Sequence, residues 1–302
     1  MKLPHPIPYQ GSKRNLAGEI LRFFPAGFDR LIEPFCGSAA ITIASAYHGK
    51  AERFLINDVN LPLIDLLDAI INDPKGITKS YHDQWHEQLG REEAYYYEVR
   101  EKFNRTKKPE HLLFLLAKCV KAAVRYNANG HFNQSLDKRR LGRNPQLMRS
   151  DILEVSQLLK GKVELNCTDY SSILHKATSN DLIYMDPPYQ GTGLNGGFNY
   201  SGNIQLESFI NSLHDLNERN VPFILSFDGR TGSKLHGMPL PVSLKLSKIE
   251  INAGRSSQAT LLNRKENTYE ALYISSSLAR KIDLVRLITE EIAEPELFMS
   301  NA

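Results

Sequence analysis

Five short apolar runs recur along the chain with helix-compatible segments between them: RLIEPF at 30–35, RFLIND at 53–58, VELNC at 163–167, LIYMD at 182–186 and PFILSFD at 222–228. Strands that alternate with helices predict an α/β fold whose mostly parallel sheet is covered on both faces. Two later runs, PVSLKLSKIEI and YEALYIS, leave no room for a crossover helix, so they are expected antiparallel at the sheet's edge. The rhythm stops between residues 74 and 150, where EEAYYYEVREKFNR and EHLLFLLAKCVKAAVRY read as helices and NANGHFNQSLDKRRLGRNP as a loop or hairpin. The expected organisation is therefore a core at 1–73 and 151–280 interrupted by a helical insertion at 74–150. KIDLVRLITEEIAEPELF, amphipathic at helical spacing, falls in a tail at 281–302.

Charge separates these parts. Residues 100–149 carry 13 Lys and Arg against three acids, a balance of +10, which leaves −7 for the remainder of a chain whose formal charge is +3. A basic segment on an acidic protein fits a surface that meets a phosphate backbone; the plainer alternative is a solvated basic face. Cys36, Cys119 and Cys167 are far apart and form no C-x-x-C pair, so neither a disulfide framework nor a metal site is expected. No run reaches the roughly 20 apolar residues that cross a bilayer, and MKLPHPIPYQGSK lacks a secretory pattern, so a cytoplasmic location without membrane contact is expected.

Three motifs carry chemistry. In LIEPFCGSAAI (31–41) a strand runs into an acidic, Gly-bearing turn and then a probable helix, the place where α/β folds bind ligands. Gly37 is the only glycine there, and Glu33 beside the turn disfavours a phosphate. INDVN then puts Asp58 at the end of the second strand, where a carboxylate can accept ribose hydroxyls. Together they point to a nucleoside without phosphates, although Glu33 could cap a helix and Asp58 could start one. PYQGSKRN (8–15) lacks the spacing of a phosphate loop. In DLIYMDPPYQG (181–191) an apolar strand ends on Asp186, and two prolines without N–H groups leave nearby carbonyls free. One carboxylate, one carbonyl and the Tyr189 ring form a receptor for a planar base bearing an amino group.

At these residues the chain resembles the Dam-like, D12-class (group α) DNA adenine-N6 methyltransferases. PYQGSK, LIEPFCGSA, INDVN, RYNANGHFN, NCTDYSSI, IYMDPPY, FNY and RSSQATLLNRKENTYEALY follow in the family's order over residues 6 to 275. The resemblance implies a Rossmann-like, S-adenosylmethionine-dependent methyltransferase sheet with an inserted helical DNA-recognition domain. It implies cofactor contacts at Tyr9, Lys13, Glu33, Pro34, Gly37, Asp58, Asp169 and Asp186, and a catalytic motif at Asp186, Pro187, Pro188 and Tyr189. Phe198 and Tyr200 are similar to the aromatics that close over a flipped base, and the glycines of GTGLNGG read as their hinge. The implied reaction needs no covalent intermediate: the Asp186 carboxylate and Pro187 carbonyl accept the amine hydrogens, freeing a lone pair for in-line attack. No Pro-Cys motif accompanies the cysteines, which argues against ring-carbon methylation of cytosine.

The insertion is expected to bind double-stranded DNA. Arg125, Lys138, Arg139 and Arg140 are expected on phosphates, with Tyr126, Asn127 and Asn129 near the bases; a core role for Tyr126 is the alternative. Asn129 stands where GATC-specific relatives carry a base-reading Arg, so GATC is not assigned to this chain. Cytosine-N4 methylation, or an inactive S-adenosylmethionine-binding DNA module, are the alternative functions. A cognate restriction endonuclease acting on the same site is a possible partner, and a monomer suffices.

Overall fold

Alternate residues of the central strands enter opposite faces of one sheet, and both faces are buried. The structure is a computed structural model and describes residues 3–188, 205–232, 234–235, 240–255 and 267–283. Strands β1 (Leu31–Glu33), β2 (Phe54–Asn57), β3 (Val163–Asn166), β4 (Leu182–Met185) and β5 (Phe223–Thr231) are parallel, in the spatial order β3-β2-β1-β4-β5. β6 (Lys234–Leu235) pairs antiparallel with the end of β5. β7 (Ser247–Arg255) and β8 (Asn267–Ile274) extend the sheet antiparallel in the order β5-β8-β7, the edge pair expected from the sequence.

Leu31, Phe54, Ile56, Leu182, Tyr184 and Ile224 face one core cluster, while Ile32, Leu55, Ile183, Met185, Phe223 and Leu225 face another. A strand with both faces covered reads as a continuous apolar run, which is why LIYM lacks alternation. Each fully buried side chain of this size contributes about 1.5–3 kcal/mol relative to exposure.

The first cluster is covered by α1 (Ala17–Leu21), α2 (Ala40–Tyr47), α3 (Leu61–Asn72), α4 (Pro74–Glu87), α5 (Glu92–Thr106), α6 (Pro109–Lys118) and α7 (Pro145–Leu159). The second is covered by α8 (Tyr170–His175) and α9 (Leu206–Glu218), and α10 (Ser276–Lys281) follows β8. Helix starts follow local chemistry: Asp73 accepts from Gly76 N ahead of Pro74, and Asn144 accepts from Gln146 N and Leu147 N ahead of Pro145. Tyr81, Tyr95, Tyr96, Phe103 and Leu112 to Leu116 of the inserted helices belong to the same buried cluster as α2 and α3. The insertion therefore shares its core with the sheet.

Two details differ from the sequence reading. The helix over EHLLFLLAKCVKAAVRY stops at Lys118 rather than continuing to Tyr126. Cys119 is extended and Lys121 has φ +59°, and the chain turns into an irregular hairpin bridged at Cys119–Leu136 and Tyr126–Phe132. Helix α7 also runs unbroken across residues 150 and 151, where the return to the core was expected. Among the described residues no helix is long and apolar enough to cross a membrane. The amphipathic tail beyond residue 283 lies outside the described residues.

Candidate active site

The sheet order reverses between β1 and β4: β1 leads to β2 and β3 on one side, β4 to β5 on the other. Ligands in open α/β sheets sit at the carboxyl ends of strands at such a point. Glu33 ends β1, Asp58 follows β2 and Asp186 follows β4, so the chain delivers three carboxylates to one crevice.

Each is held differently. Glu33, 3% exposed, accepts from the Thr42 amide at 2.8 Å and from the Thr42 hydroxyl, which ties it to the first turn of α2. It therefore acts as the helix cap that the sequence allowed. Burial pushes its carboxyl up to about 8, against the lowering effect of the Thr42 bonds. Asp58 accepts from Gly37 N at 3.1 Å and Asn60 N at 2.9 Å, and burial raises its pKa although both bonds oppose the shift. Gly37 has φ +49°, and a Cβ there would lie 3.0 Å from the Tyr9 ring. The turn therefore needs glycine both for its left-handed backbone and for room under Tyr9.

Asn57, fully buried, locks this end of the sheet. Its amide donates to the Pro34 and Thr168 carbonyls, both at 3.0 Å, while its oxygen accepts from Thr168 N at 2.9 Å. Asp169 caps α8, accepting from Ser171 N at 2.9 Å.

Asp186 is held by charge rather than by backbone amides. Its carboxylate lies 2.8 Å from the Lys13 ammonium, which also lies 3.2 Å from Glu270 of β8. Ser226 of β5 donates its hydroxyl to the same Glu270. Burial pushes the Asp186 carboxyl up to about 6, with Lys13 lowering it and Glu270 raising it. Tyr184, two residues earlier on β4, is buried beside these charges, and burial raises its hydroxyl pKa well above the usual range. Pro187 and Pro188 continue the strand end, whereas Tyr189, Phe198, Tyr200 and the glycines of GTGLNGG lie outside the described residues. Lys13 was expected to reach toward a cofactor; it is buried in a 3₁₀ turn (Lys13–Leu16) with its ammonium on the two carboxylates.

The basic segment is built around a hairpin. Asn127 Oδ1 accepts from the amides of Asn129 and His131, both at 3.0 Å, which shapes the turn and leaves Asn129 exposed at its tip. Tyr126 is buried, edge-on to Phe132, and donates its hydroxyl to Asn60 Oδ1 at 3.3 Å. It is a core aromatic that links the hairpin to the turn holding Asp58. Gln10 N donates to Ala122 O at 3.0 Å, a second link between hairpin and crevice. Arg125 is exposed. Lys138 pairs with Glu93 at 2.8 Å, and Arg139 and Arg140 share Asp137 at 2.9 and 3.4 Å.

Thr42, Asn57, Asn60, Ser226 and Glu270 escaped the sequence reading. The usable signal was Glu270, a lone acid inside the apolar strand NTYEALYI. The crevice is lined mostly by carboxylate acceptors, which suits a cationic ligand with hydroxyls and no phosphate. Asn60 Nδ2, buried without a hydrogen-bond partner among the described residues, offers such a ligand a donor beside these acceptors.

Comparison with known proteins agrees with this geometry. The family of D12 class N6 adenine-specific DNA methyltransferases matches residues 9–266. A retron Ec67 DNA adenine methylase from Escherichia coli is 28% identical over 62% of this chain and 64% of its own length. The type II methyltransferase M.FokI from Planomicrobium okeanokoites is 26% identical over 73% of this chain and 35% of its own length. A DNA adenine methylase from Serratia marcescens is 25% identical over 73% of this chain and 82% of its own length. The chain thus spans less than two thirds of the first two relatives. The matched stretch contains Tyr9, Lys13, the Glu33–Gly37 turn, Asp58 and Asp186, the groups that meet at the sheet's switch point. The chain belongs to the D12 class N6 adenine-specific DNA methyltransferase family.

Proposed function

We propose that this chain is a site-specific DNA methyltransferase that moves the methyl group of S-adenosylmethionine onto N6 of an adenine extruded from duplex DNA. The observation that carries this reading is Asp186, a half-buried carboxylate that follows β4, is paired with Lys13 and precedes two prolines. When bound, S-adenosylmethionine supplies an electrophilic methyl group on a cationic sulfur. Tyr9 and Gly37 would bracket its methionine end, and Asp58 and Asn60 would meet the ribose. Asp169 would meet the adenine amine through the carboxylate oxygen not engaged by Ser171.

The exocyclic amine of adenine is a poor nucleophile because its lone pair is delocalised into the ring. Accepting its hydrogens at the Asp186 carboxylate and the Pro187 carbonyl localises that lone pair on nitrogen, so that a carbon–nitrogen bond can form as the carbon–sulfur bond breaks. The nitrogen then sheds one proton, and Asp186, poised near neutrality, is the acceptor at hand. The target amine lies inside a stacked duplex, so it must be extruded to reach this crevice, with Tyr189, Phe198 and Tyr200 receiving the base.

In this reading residues 74–150 form the target-recognition insertion on a catalytic core of 1–73 and 151–280, with 281–302 as a tail. Arg125 meets phosphates directly, Lys138, Arg139 and Arg140 turn from their acidic partners toward phosphates, and Asn127 and Asn129 approach base edges. The protein acts as a cytoplasmic monomer, in a restriction-modification pair with an endonuclease or alone. Sequencing modified bases in DNA of an expressing host that lacks adenine methylation tests this. N6-methyladenine at one fixed sequence context supports it; unmodified DNA, or N4-methylcytosine, refutes it.

A further inference from the structure

We propose that Glu270 is a positioning residue for methyl transfer: it holds the Lys13 ammonium between two carboxylates and so leaves Asp186 strong enough to accept from the target amine. This rests on the reading of Asp186 as that acceptor.

Strand parity brings the groups together. Glu270 shares a face of β8 with Leu272 and Ile274, which enter the same core cluster as Tyr184. Asp186 follows Tyr184 by two residues and so leaves the strand toward the same side. The register of β5 on β8 shifts between Ser226 and Gly229, where an added Cβ would lie 2.5 Å from the Tyr269 carbonyl. That irregularity sets Glu270 opposite Gly229, with Ser226 close enough to donate to its carboxylate.

Lys13, Asp186 and Glu270 side chains are 9%, 20% and 13% exposed, so solvent screens their charges weakly. Lys13 thus serves two carboxylates at once. With Glu270 neutral, the ammonium would turn more fully toward Asp186. The carboxylate would then be engaged by the ammonium and would accept less strongly from an amine. Among the described residues the titratable groups around Asp186 are Lys13 of the N-terminal turn, Tyr9, Glu33 of β1, Tyr184 of β4 and Glu270 of β8. Glu270 is the anion among them that is not itself a candidate cofactor contact, so an isosteric change can neutralise it.

The test uses the full chain, plasmid DNA lacking N6-methyladenine and tritiated S-adenosylmethionine, with single-turnover transfer followed from about pH 5 to about pH 9. Glu270→Gln should lower the plateau rate about tenfold and move the acid limb to lower pH, because a like charge beside Asp186 is gone. Cofactor affinity should stay within about threefold, and Ser226→Ala should move the limb in the same direction by less. An unmoved limb in Glu270→Gln, or a rate loss that tracks lost cofactor affinity, overturns the proposal. If Glu270→Gln does not fold, an unmoved limb in Ser226→Ala overturns it. A wild-type chain that methylates no DNA instead removes the parent reading, and this inference falls with it.

Discussion

The crevice at the switch point and the basic hairpin treat charge in opposite ways. In the crevice Glu33 is buried and Asp186 half-buried, and their carboxyls rise to about 8 and about 6. On the hairpin Lys138, Arg139 and Arg140 are 73%, 89% and 42% exposed and paired with the chain's own acids. An exposed pair such as Lys138–Glu93 can give up its partner at little cost, whereas Arg139 and Arg140 share the buried carboxylate of Asp137. Buried charges instead have their protonation set by the fold. The comparison teaches that one region is built to change partners and the other to hold a fixed constellation.

Four variants sharpen or break that contrast. Asp186→Asn removes the anionic acceptor and should slow single-turnover methyl transfer by about 10³-fold, with cofactor binding by calorimetry changed far less. Arg139→Ala with Arg140→Ala should leave the rate at saturating DNA unchanged and weaken DNA binding about tenfold. The slope of log affinity against log salt should flatten by about one to two in the same titration. Gly37→Ala must adopt φ +49° and meet Tyr9 at 3.0 Å, so it should weaken cofactor binding about tenfold and destabilise the fold by about 1–2 kcal/mol.

The smallest effect concerns Glu33. Its folded pKa of about 8 exceeds the ordinary 4.5, so the neutral form's contribution to stability is full below about pH 4.5 and is lost as pH rises through about 8. Glu33→Gln should therefore flatten the fall in Tm of the cofactor-free protein across that window. Parallel wild-type and mutant melting curves would show that Glu33 is not buried as described.

Much of this was legible in local sequence. The five parallel strands, the late antiparallel pair and the acids ending β1, β2 and β4 all follow from runs whose meaning is set by near neighbours. The Glu33 cap on α2 was readable as one of two options. The Lys13–Asp186–Glu270 cluster was not, because it joins the chain's first turn to its last strand and depends on the register at the β5–β8 irregularity. Helix propensity carried EHLLFLLAKCVKAAVRY past its true end, where pairing of Cys119 with Leu136 outweighed it. Tyr126 likewise reads as a nucleic-acid contact in isolation, but its hydroxyl bond to Asn60 and its packing on Phe132 depend on distant partners.

The central claim is that the half-buried carboxylate following β4 directs a methyl group to adenine N6. Incubation of unmethylated duplex DNA with S-adenosylmethionine carrying a trideuterated methyl group, followed by nucleoside mass spectrometry, tests it directly. The wild-type chain should yield trideuteromethyl-N6-deoxyadenosine, and Asp186→Asn almost none. Label on deoxycytidine, or equal label from both proteins, would contradict the account.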